Sequence, residues 1–318
     1  MILEATDMNI ITLTLNPAFD IHADIEHIAL YHENIARICE YDAGGKGVNI
    51  SRALCANGVQ NVCVAVLGEE NGADFLSRIE AQGLFCRAIF VKGRIRENLT
   101  FHTNDKKETR ISFEGFSADG GLLERVANEI SDIVGEGDVV TFTGRLPKGV
   151  SGEDAKRFLL DLKRVGARLV IDSRSFTLDD LIELRPWLIK PNEEEIALYV
   201  RKEIKTRTDA AREAERLRGF GIENVMISLG SLGAVLACSE GVLFACAPKI
   251  EVLSSVGAGD SAIAGFLSAY SEGLPSESRL SRAVAYGSAA CIREGTAPPL
   301  PKDIAQLLPR IRTDSVAL

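Results

Sequence analysis

The chain has 318 residues, of which 46% are hydrophobic and 25% are charged, an ordinary balance for a soluble globular protein. Its formal net charge of −9 argues against non-specific nucleic-acid binding, which requires a basic surface. No apolar run is long enough to span a membrane, no export signal begins the chain, and no Cys-x-x-Cys pair occurs. We therefore expect a cytoplasmic enzyme with free thiols that binds neither membrane nor nucleic acid.

The first third of the chain contains four elements with clear patterns. Residues 9–16 alternate apolar and polar side chains and stop at Asn-Pro, which predicts a strand. A glycine-rich turn and a helix are predicted within residues 44–57, followed by a strand at 62–68 and a helix at 73–83. Residues 19–40 are polar and irregular, so no element is predicted there.

Residues 87–113 differ in character from the rest of the chain. Three short β-like pieces (RAIFV, NLTFHT and TRISF) are separated there by charged turns. Such a pattern is typical of β-hairpins and not of strands joined by a helical crossover. We therefore expect hairpins in this segment.

From residue 122 onward, helices and strands alternate regularly. Four helices, at 122–134, 152–165, 178–184 and 209–219, are each followed by a strand, at 138–144, 168–172, 187–190 and 224–229. A hairpin at 233–238 and 241–247 and two helices at 261–272 and 280–293 complete the series. This alternation predicts an α/β protein whose parallel sheet is covered by helices on both faces.

Glycine-rich and polar segments fall at one edge of this predicted sheet. Three of them, at 144–149, 191–195 and 228–233, come directly after strands, and a fourth, at 256–260, comes directly before a helix. In parallel α/β sheets, ligands bind outside the carboxyl ends of the strands. The four segments therefore predict one shared ligand site.

The segment 256–261 (VGAGDS) is the most informative of these. Glycines on both sides of Ala258 permit a tight turn at a helix start, where several N–H groups point the same way and suit a phosphoryl group. Asp260 within this turn could take a proton from a substrate hydroxyl. The alternative interpretation is that Asp260 only caps the helix.

Six segments together resemble, in order and spacing, the ribokinase/PfkB-type carbohydrate kinase family, and most closely its 1-phosphofructokinase and tagatose-6-phosphate kinase branch. The segments are 14–20 (TLNPAFD), 43–49 (AGGKGVN), 144–149 (GRLPKG), 190–195 (KPNEEE), 228–234 (SLGSLGA) and 256–261 (VGAGDS). The resemblance implies a ribokinase-like three-layer α/β/α fold with a central, mostly parallel sheet, as a single domain over residues 1–318. It also implies a small β-rich lid, formed by about 19–40 and 86–115, that closes over the sugar and joins two copies in a homodimer.

The resemblance implies a role for each matching residue. Asp260 would be the catalytic base, and the backbone amides of Gly257, Ala258 and Gly259 would stabilise the transferred phosphoryl group. The residues implied to bind the sugar phosphate are Asp20, Gly44, Gly45, Lys46, Asn49, Arg96 and Asn98. Those implied to bind ATP are Lys190, Asn192, Ser228, Gly230, Gly233, Gly257 and Gly259, while Asn192 and Glu195 would hold Mg²⁺ through water.

Two positions depart from the family pattern. Ile95 stands where the phosphosugar branch has threonine in a Gly-x-Thr-Arg-x-Asn segment, and Arg145 stands where the family usually has serine. Arg145 is either a neutral surface change or a further cation for the phosphate. The sequence leaves that choice open, and the role of Arg174 stays equally open.

The expected activity is ATP- and Mg²⁺-dependent phosphorylation of a ketohexose phosphate, with fructose 1-phosphate and its 6-hydroxyl as the first choice. Tagatose 6-phosphate and fructose 6-phosphate are the alternative substrates, because the ketohexoses differ mainly in which end carries the phosphate. A sugar-phosphate sensor without catalysis is disfavoured, because Asp260 and its neighbouring glycines are intact. A dinucleotide-dependent dehydrogenase is disfavoured because no Gly-x-Gly-x-x-Gly follows the first strand.

Overall fold

The computed structural model describes residues 8–105 and 108–318. The parts of the domain and lid predictions that fall on residues 1–7 and 106–107 lie outside the described residues. The strands are β1 (Ile10–Thr14), β2 (Ala18–Ile25), β3 (Arg37–Gly44), β4 (Val62–Gly68), β5 (Cys86–Val91), β6 (Arg96–Thr103), β7 (Glu108–Ser112), β8 (Val139–Thr143), β9 (Arg168–Asp172), β10 (Leu188–Ile189), β11 (Asn224–Ser228), β12 (Gly233–Cys238), β13 (Gly241–Cys246) and β14 (Thr313–Ser315). The helices are α1 (Lys46–Ala56), α2 (Gly72–Glu80), α3 (Leu122–Ile130), α4 (Gly152–Arg164), α5 (Leu178–Leu184), α6 (Glu193–Val200), α7 (Arg207–Gly219), α8 (Ala258–Ser271), α9 (Ser276–Cys291) and α10 (Pro301–Leu307).

The larger sheet has ten strands in the order β14-β13-β12-β11-β10-β9-β8-β1-β4-β5. Every neighbouring pair from β11 to β5 is parallel, whereas β11 to β14 pair antiparallel. After β1, the chain adds β4 and β5 to one side of β1, and then adds β8 and the later strands to the opposite side of β1. Strand order therefore reverses between β1 and β8, which is where sheets of this kind bind ligands.

The core consists of two layers of apolar side chains, one on each face of the larger sheet. Successive strand residues point to opposite faces, so Ile10 and Val139 join one apolar cluster while Ile11 and Val140 join the other. Helices α1, α8, α9 and α10 pack on the first cluster, and α2 through α7 pack on the second. The predicted three-layer α/β/α arrangement with a mostly parallel central sheet is confirmed. No described helix is long and apolar enough to cross a membrane.

Local signals define where the helices begin. Ser151 caps α4 by accepting a hydrogen bond from the Asp154 N–H, and Thr177 and Thr206 open α5 and α7 with capping boxes. In contrast, no described side chain caps α1 or α8, each of which follows a glycine. The first amides of α1 and α8 are therefore left without side-chain acceptors, at the point where strand order reverses.

The prediction of hairpins throughout residues 87–113 is wrong for its first piece. Strand β5 pairs parallel with β4, from Cys63 opposite Cys86 to Gly68 opposite Val91, and α2 is the crossover between the two strands. A short apolar strand at a sheet edge has the same pattern as a hairpin strand, so the sequence did not separate them. The other two pieces, β6 and β7, pair antiparallel as expected.

The segment 19–40 is not irregular throughout. It contributes β2 and part of β3 to a second sheet of four strands in the order β3-β2-β6-β7, here called the small sheet. The sequence interpretation took this segment as irregular because one face of β2 and β3 carries charged and polar side chains. The elements α6, α10 and β14 were not predicted, and the predicted strand at 187–190 is only Leu188–Ile189.

Aromatic residues attach the small sheet to the α2 side of the larger one. The ring of Phe19 on β2 stacks on Tyr41 of β3 with centroids 4.8 Å apart, and it meets Phe75 of α2 edge-on at 5.3 Å. Arg78 of α2 lies over the Tyr41 ring and donates a hydrogen bond to the Tyr41 carbonyl. Phe75 is fully buried at the centre of this contact.

We predict that Phe75→Ala lowers the free energy of unfolding by about 3–5 kcal/mol, because it leaves a cavity between α2 and the small sheet. Phe85→Ala is the matched control, since that ring is 67% exposed. The control variant should change the free energy of unfolding by less than about 0.5 kcal/mol. Urea denaturation followed by circular dichroism measures both, and equal effects of the two substitutions would contradict the prediction.

Candidate active site

The candidate site lies beyond the carboxyl ends of the central strands, where α1 and α8 begin. Gly45 precedes α1 with a φ of 128°, and Gly257 precedes α8 with a φ of 77°, values that suit glycine. The amides of Gly257, Gly259 and Asp260 donate to no acceptor among residues 8–105 and 108–318. Ala258 differs from the sequence expectation, because its N–H is directed to the Ser255 carbonyl at 3.4 Å.

The side chain of Asp260 lies between the two helix starts. Asn49 of α1 donates a hydrogen bond from Nδ2 to Oδ2 of Asp260 at 2.9 Å. Asp260 is 5% exposed, and its burial raises the pKa of the carboxyl to about 6, against the opposing effect of Lys46. Asp260 is therefore ionised at neutral pH and is a stronger proton acceptor than an exposed aspartate.

Asp172, at the end of β9, links two lysines from different elements. Its Oδ2 lies 2.8 Å from Nζ of Lys46 and 3.7 Å from Nζ of Lys190. Burial opposes ionisation of Asp172, but Lys190 and Lys46 hold its pKa below the usual range. Burial likewise opposes the charge of Lys46, whose pKa is nevertheless raised by Asp172 and Asp260. Asp172 and Lys46 are therefore both charged at neutral pH.

The sequence interpretation missed Asp172 as a site residue. A signal was present, because Asp172 ends a predicted strand at the same sheet edge as the glycine-rich segments. Lys190 also lies close to residue 259, since a Cβ there would be 3.0 Å from the lysine Nζ. The structure thus brings Lys46, Asn49, Lys190 and Gly259 around Asp260 and Asp172.

A second group of predicted residues gathers around Asp20 of β2. Its Oδ1 accepts hydrogen bonds from Asn98 Nδ2 at 2.8 Å and from Arg110 at 3.1 Å. Gly44 leaves room for this carboxylate, because a Cβ at residue 44 would lie 2.6 Å from Asp20 Oδ2. Arg110 was not predicted from sequence, since an exposed arginine within a hairpin carries no distinguishing pattern.

Several buried polar atoms near these residues have no partner among the described residues. They include Oδ1 of Asn49, Oδ1 of Asn98 and Oγ1 of Thr14. Buried polar atoms are normally hydrogen-bonded, so the unpartnered amide oxygens of Asn49 and Asn98 fit a ligand that carries hydroxyl groups. A sugar has such groups.

Arg96 lies at the start of β6, next to the segment that leaves β1. Its guanidinium makes long contacts to the carbonyls of Pro17 (3.4 Å) and Asn16 (3.5 Å). Burial lowers the pKa of Arg96, Asp20 opposes that effect, and Arg145 and Arg110 add to it by repulsion. Ile95, the departure from the family pattern, is fully buried in the core and so is not exposed to a ligand.

The remaining predicted residues form a third group after β10 and β11. Asn192 and Glu195 make a capping box at the start of α6, and Ser228 pairs with Asn192 across the strand ends. Glu195 Oε1 also accepts a hydrogen bond from Arg174 Nε at 2.8 Å. Gly230 and Gly233 lie in the next turn, and a Cβ at Gly233 would collide with the Ala245 carbonyl.

These contacts limit how the third group could hold a magnesium ion. No cluster of three or more His, Cys, Asp or Glu side chains that could hold a metal occurs within the described chain. The side-chain oxygens of Asn192 and Glu195 already accept hydrogen bonds from backbone and from Arg174. This donor set fits Mg²⁺ bound through its waters, because Mg²⁺ retains several waters and uses few carboxylates.

We predict that Asp260 titrates near pH 6 and that Lys46→Met raises its pKa further, because the substitution removes the main cation that lowers it. Carbon-13 NMR of carboxyl-labelled aspartate measures both values, with Asp260→Asn assigning the signal. Lys148→Met, which removes an exposed lysine, should leave the titration unchanged. An Asp260 midpoint near 4, or no change in Lys46→Met, would contradict the electrostatic description.

Comparison with known proteins identifies the family. The family model for pfkB family carbohydrate kinases matches residues 13–303. The 1-phosphofructokinase of Haemophilus influenzae is 31% identical over 89% of this chain and 90% of its own length. The 1-phosphofructokinase of Bacillus subtilis is also 31% identical, over 95% of this chain and 98% of its own length.

Solved structures share the fold. The phosphofructokinase-2 of Escherichia coli in complex with substrates and products has a TM-score of 0.90 at 24% identity, covering 95% of this chain and 99% of its own. A phosphofructokinase described as putative, from Staphylococcus aureus, has a TM-score of 0.83 at 26% identity, covering 96% and 98%. The fold, the order of the motifs and the match over most of the sequence lead to one conclusion: the chain belongs to the pfkB family of carbohydrate kinases.

Proposed function

We propose that this protein transfers the γ-phosphoryl group of ATP to the 6-hydroxyl of fructose 1-phosphate, giving fructose 1,6-bisphosphate and ADP. One observation carries the proposal: a buried carboxylate with a pKa of about 6, Asp260, lies among unpaired amides at the start of α8. A proton acceptor and an anion-binding helix end are the two parts that phosphoryl transfer to an alcohol requires.

Asp260 accepts the proton of the attacking hydroxyl while the oxygen forms its bond to phosphorus and ADP leaves. The amides of Gly257, Gly259 and Asp260 donate hydrogen bonds to the transferred group, where negative charge is spread over its oxygens. Lys46 and Lys190 supply positive charge beside this position. Positioning and electrostatic stabilisation account for most of the catalysis in such a loose transition state.

The third group of residues is proposed to bind ATP and its metal. Asn192, Ser228, Gly230 and Gly233 lie in the two turns that follow β10 and β11, next to the start of α6. Asn192 and Glu195 would hold Mg²⁺ through water. When bound, the ion neutralises charge on the phosphates of the nucleotide.

The residues around Asp20 are proposed to bind the sugar. A carboxylate accepts hydrogen bonds from two neighbouring hydroxyls, and Asn49, Asn98, Gly44 and Gly45 line the same approach. The small sheet carries Asp20 and Asn98, so we propose that it is the lid that covers the sugar and excludes water. Residues 1–318 then act as one kinase domain, and the seven free cysteines agree with a cytoplasmic location.

The choice of fructose 1-phosphate rests on the relatives, since several curated proteins about 31% identical are named 1-phosphofructokinase. Fructose 6-phosphate is the second candidate, because one structural neighbour was solved with that compound. That neighbour is 24% identical, so it supports the fold more strongly than the substrate.

We predict that kcat/KM is at least about tenfold higher for fructose 1-phosphate than for fructose 6-phosphate or tagatose 6-phosphate. A coupled assay of ADP release measures all three, with Mg²⁺ present. Preference for either 6-phosphate would overturn the substrate choice. Binding of the sugar phosphates without ATP consumption would overturn the kinase proposal in favour of a sensor.

Asp260→Asn tests, in the same assay, whether Asp260 is the general base. Loss of a general base costs on the order of 10²- to 10⁴-fold in rate, while ATP and sugar-phosphate binding should change only a few-fold. The matched control Asp314→Asn, at an exposed position on β14, should retain full activity. Because Asp260 must be ionised to accept a proton, wild-type kcat should fall as the pH drops below about 6.

We also propose that the protein is a homodimer joined through the small sheet. The connection between β2 and β3 exposes Leu30 (72%), Tyr31 (100%) and Ile35 (86%), and β3 adds Ile38 (64%). Apolar side chains grouped at one place on a surface mark sites of protein association.

The double variant Leu30→Asp/Ile35→Asp should be monomeric in sedimentation velocity at concentrations where the wild type sediments as a dimer. Val165→Asp, at another exposed apolar position, is the control and should remain dimeric. A wild-type monomer, or a double variant that still dimerises, would overturn this assignment.

A further inference from the structure

Arg174, whose role the sequence leaves open, lies in the loop that follows β9 at the carboxyl edge of the larger sheet. The residues on either side of it are tied to the loop after β8. Ser173 donates a hydrogen bond from Oγ to the Gly144 carbonyl, and Ser175 Oγ accepts one from the Leu146 N–H at 3.2 Å. The backbone of Arg174 is therefore fixed, while its side chain extends to the start of α6.

The guanidinium of Arg174 forms an ion pair with Glu195 in the first turn of α6. Nε of Arg174 donates to Oε1 of Glu195 at 2.8 Å, and a second nitrogen lies 3.8 Å from Oε2 of Glu194. The arginine side chain is 50% exposed, whereas that of Glu195 is 11% exposed. Because a guanidinium stays charged in proteins, a permanent positive charge is held against a nearly buried carboxylate.

This ion pair is not needed to orient Glu195. Its other oxygen, Oε2, accepts a hydrogen bond from the Asn192 N–H at 3.1 Å, and Asn192 Oδ1 accepts one from the Glu195 N–H at 2.8 Å. These two bonds form the capping box of α6, which already fixes the carboxylate on the first turn. What Arg174 adds is a positive charge beside the oxygen that would accept from a water of hydrated Mg²⁺.

The formal charges of the buried carboxylates here are balanced only when Arg174 is included. Three carboxylates that are at most 9% exposed lie at this edge of the sheet, on Asp172, Glu195 and Asp260. Lys46 and Lys190 pair with the first, and Arg174 pairs with the second, so three basic side chains accompany three acidic ones. A bare divalent cation would add two positive charges to this balanced group, whereas a nucleotide supplies phosphates that offset them.

We propose that Arg174 sets the metal affinity of Glu195: it neutralises this carboxylate in the free enzyme, so that the divalent cation binds together with the nucleotide and not before it. The inference rests on the proposed function, because it concerns the metal of the proposed ATP site. Phosphate oxygens accept hydrogen bonds from guanidinium, so an arriving nucleotide draws Arg174 away from Glu195 and frees Oε1. Arg174 therefore acts through Glu195 and does not have to contact the sugar.

The test measures Mn²⁺ binding to the full chain without nucleotide or sugar, by electron paramagnetic resonance of the unbound ion. Mn²⁺ is the probe because it prefers the same oxygen ligands as Mg²⁺. Arg174→Gln should bind Mn²⁺ at least about tenfold more tightly than the wild type, because a positive charge beside the ion is removed. Arg157→Gln, which removes another exposed arginine paired with an acidic side chain, is the matched control and should equal the wild type.

Two further variants separate charge from shape and locate the bound ion. Arg174→Lys keeps the charge and should bind Mn²⁺ within about threefold of the wild type. Adding Glu195→Gln to Arg174→Gln should abolish the gain in affinity. Equal Mn²⁺ affinity in Arg174→Gln and the wild type would overturn the proposal. A gain that persists in the double variant, or that also occurs in Arg174→Lys, would overturn it as well, since the ion would lie elsewhere or the effect would not depend on charge.

Repeating the Mn²⁺ titration with a saturating non-hydrolysable ATP analogue tests the link to the nucleotide. The wild type and Arg174→Gln should then bind Mn²⁺ with affinities that agree within about threefold, because the phosphates supply the negative charge in both proteins. A tenfold difference that persists in the presence of the analogue would contradict the displacement of Arg174 by the nucleotide.

Metal binding to the free enzyme is measured without turnover, so the inference and the proposed function can fail separately. If no ketohexose phosphate is phosphorylated but Mn²⁺ binding depends on Arg174 as expected, the proposed function fails and the inference stands. If fructose 1-phosphate is phosphorylated but Mn²⁺ binding is independent of Arg174, the inference fails and the proposed function stands.

Discussion

The buried carboxylate of Asp172 is the interaction on which the arrangement of the site depends. It lies at the end of β9 and pairs with Lys46 at the start of α1 and with Lys190 after β10. Without it, the buried Lys190 and the 37% exposed side chain of Lys46 would lie near one another with one fewer negative charge. Breaking a buried ion pair by removing one partner typically costs about 3–5 kcal/mol, so Asp172 fixes where these three elements meet.

The same charges set the proton affinity of Asp260. Burial and the negative charge of Asp172 raise its pKa, while Lys46, Lys190 and the Asn49 hydrogen bond lower it. The balance leaves a carboxylate that is ionised at neutral pH but holds a proton more firmly than an exposed aspartate does. A base with a pKa close to the working pH transfers protons most efficiently. Asp172 therefore adjusts the pKa of Asp260, the proposed base, without itself having to contact the substrate.

The sequence was sufficient to predict the layered α/β fold and most of the residues that meet at the strand ends. Alternating apolar patterns determine which elements form, and parallel strands bring their carboxyl ends to one edge, so the segment of Asp260 could be placed beside the segments that follow three strands. Asn49 and Lys190 were assigned to the site through the family resemblance. Asp172 was missed because its importance arises from a lysine 126 positions away in the sequence. Arg110 was missed for the same reason, since its partner Asp20 lies 90 positions away. The strand β5 was misassigned because edge strands and hairpin strands share one pattern.

The small sheet connects the two ends of the proposed substrate site. Strand β2 begins at Ala18, directly after the Asn16-Pro17 segment, and β3 ends at Gly44, directly before the start of α1, with Ala18 and Gly44 as register partners. The small sheet also carries Asp20, Arg96 and Arg110. In contrast, Arg145 follows β8 of the larger sheet, and Asp260 lies in the first turn of α8. A sugar phosphate whose phosphate lies at Arg96 on the small sheet and whose hydroxyl reaches Asp260 on α8 would therefore join the two sheets. The phosphate would then hold the small sheet against the larger one, which makes coverage of the reacting hydroxyl depend on the presence of the sugar's own phosphate.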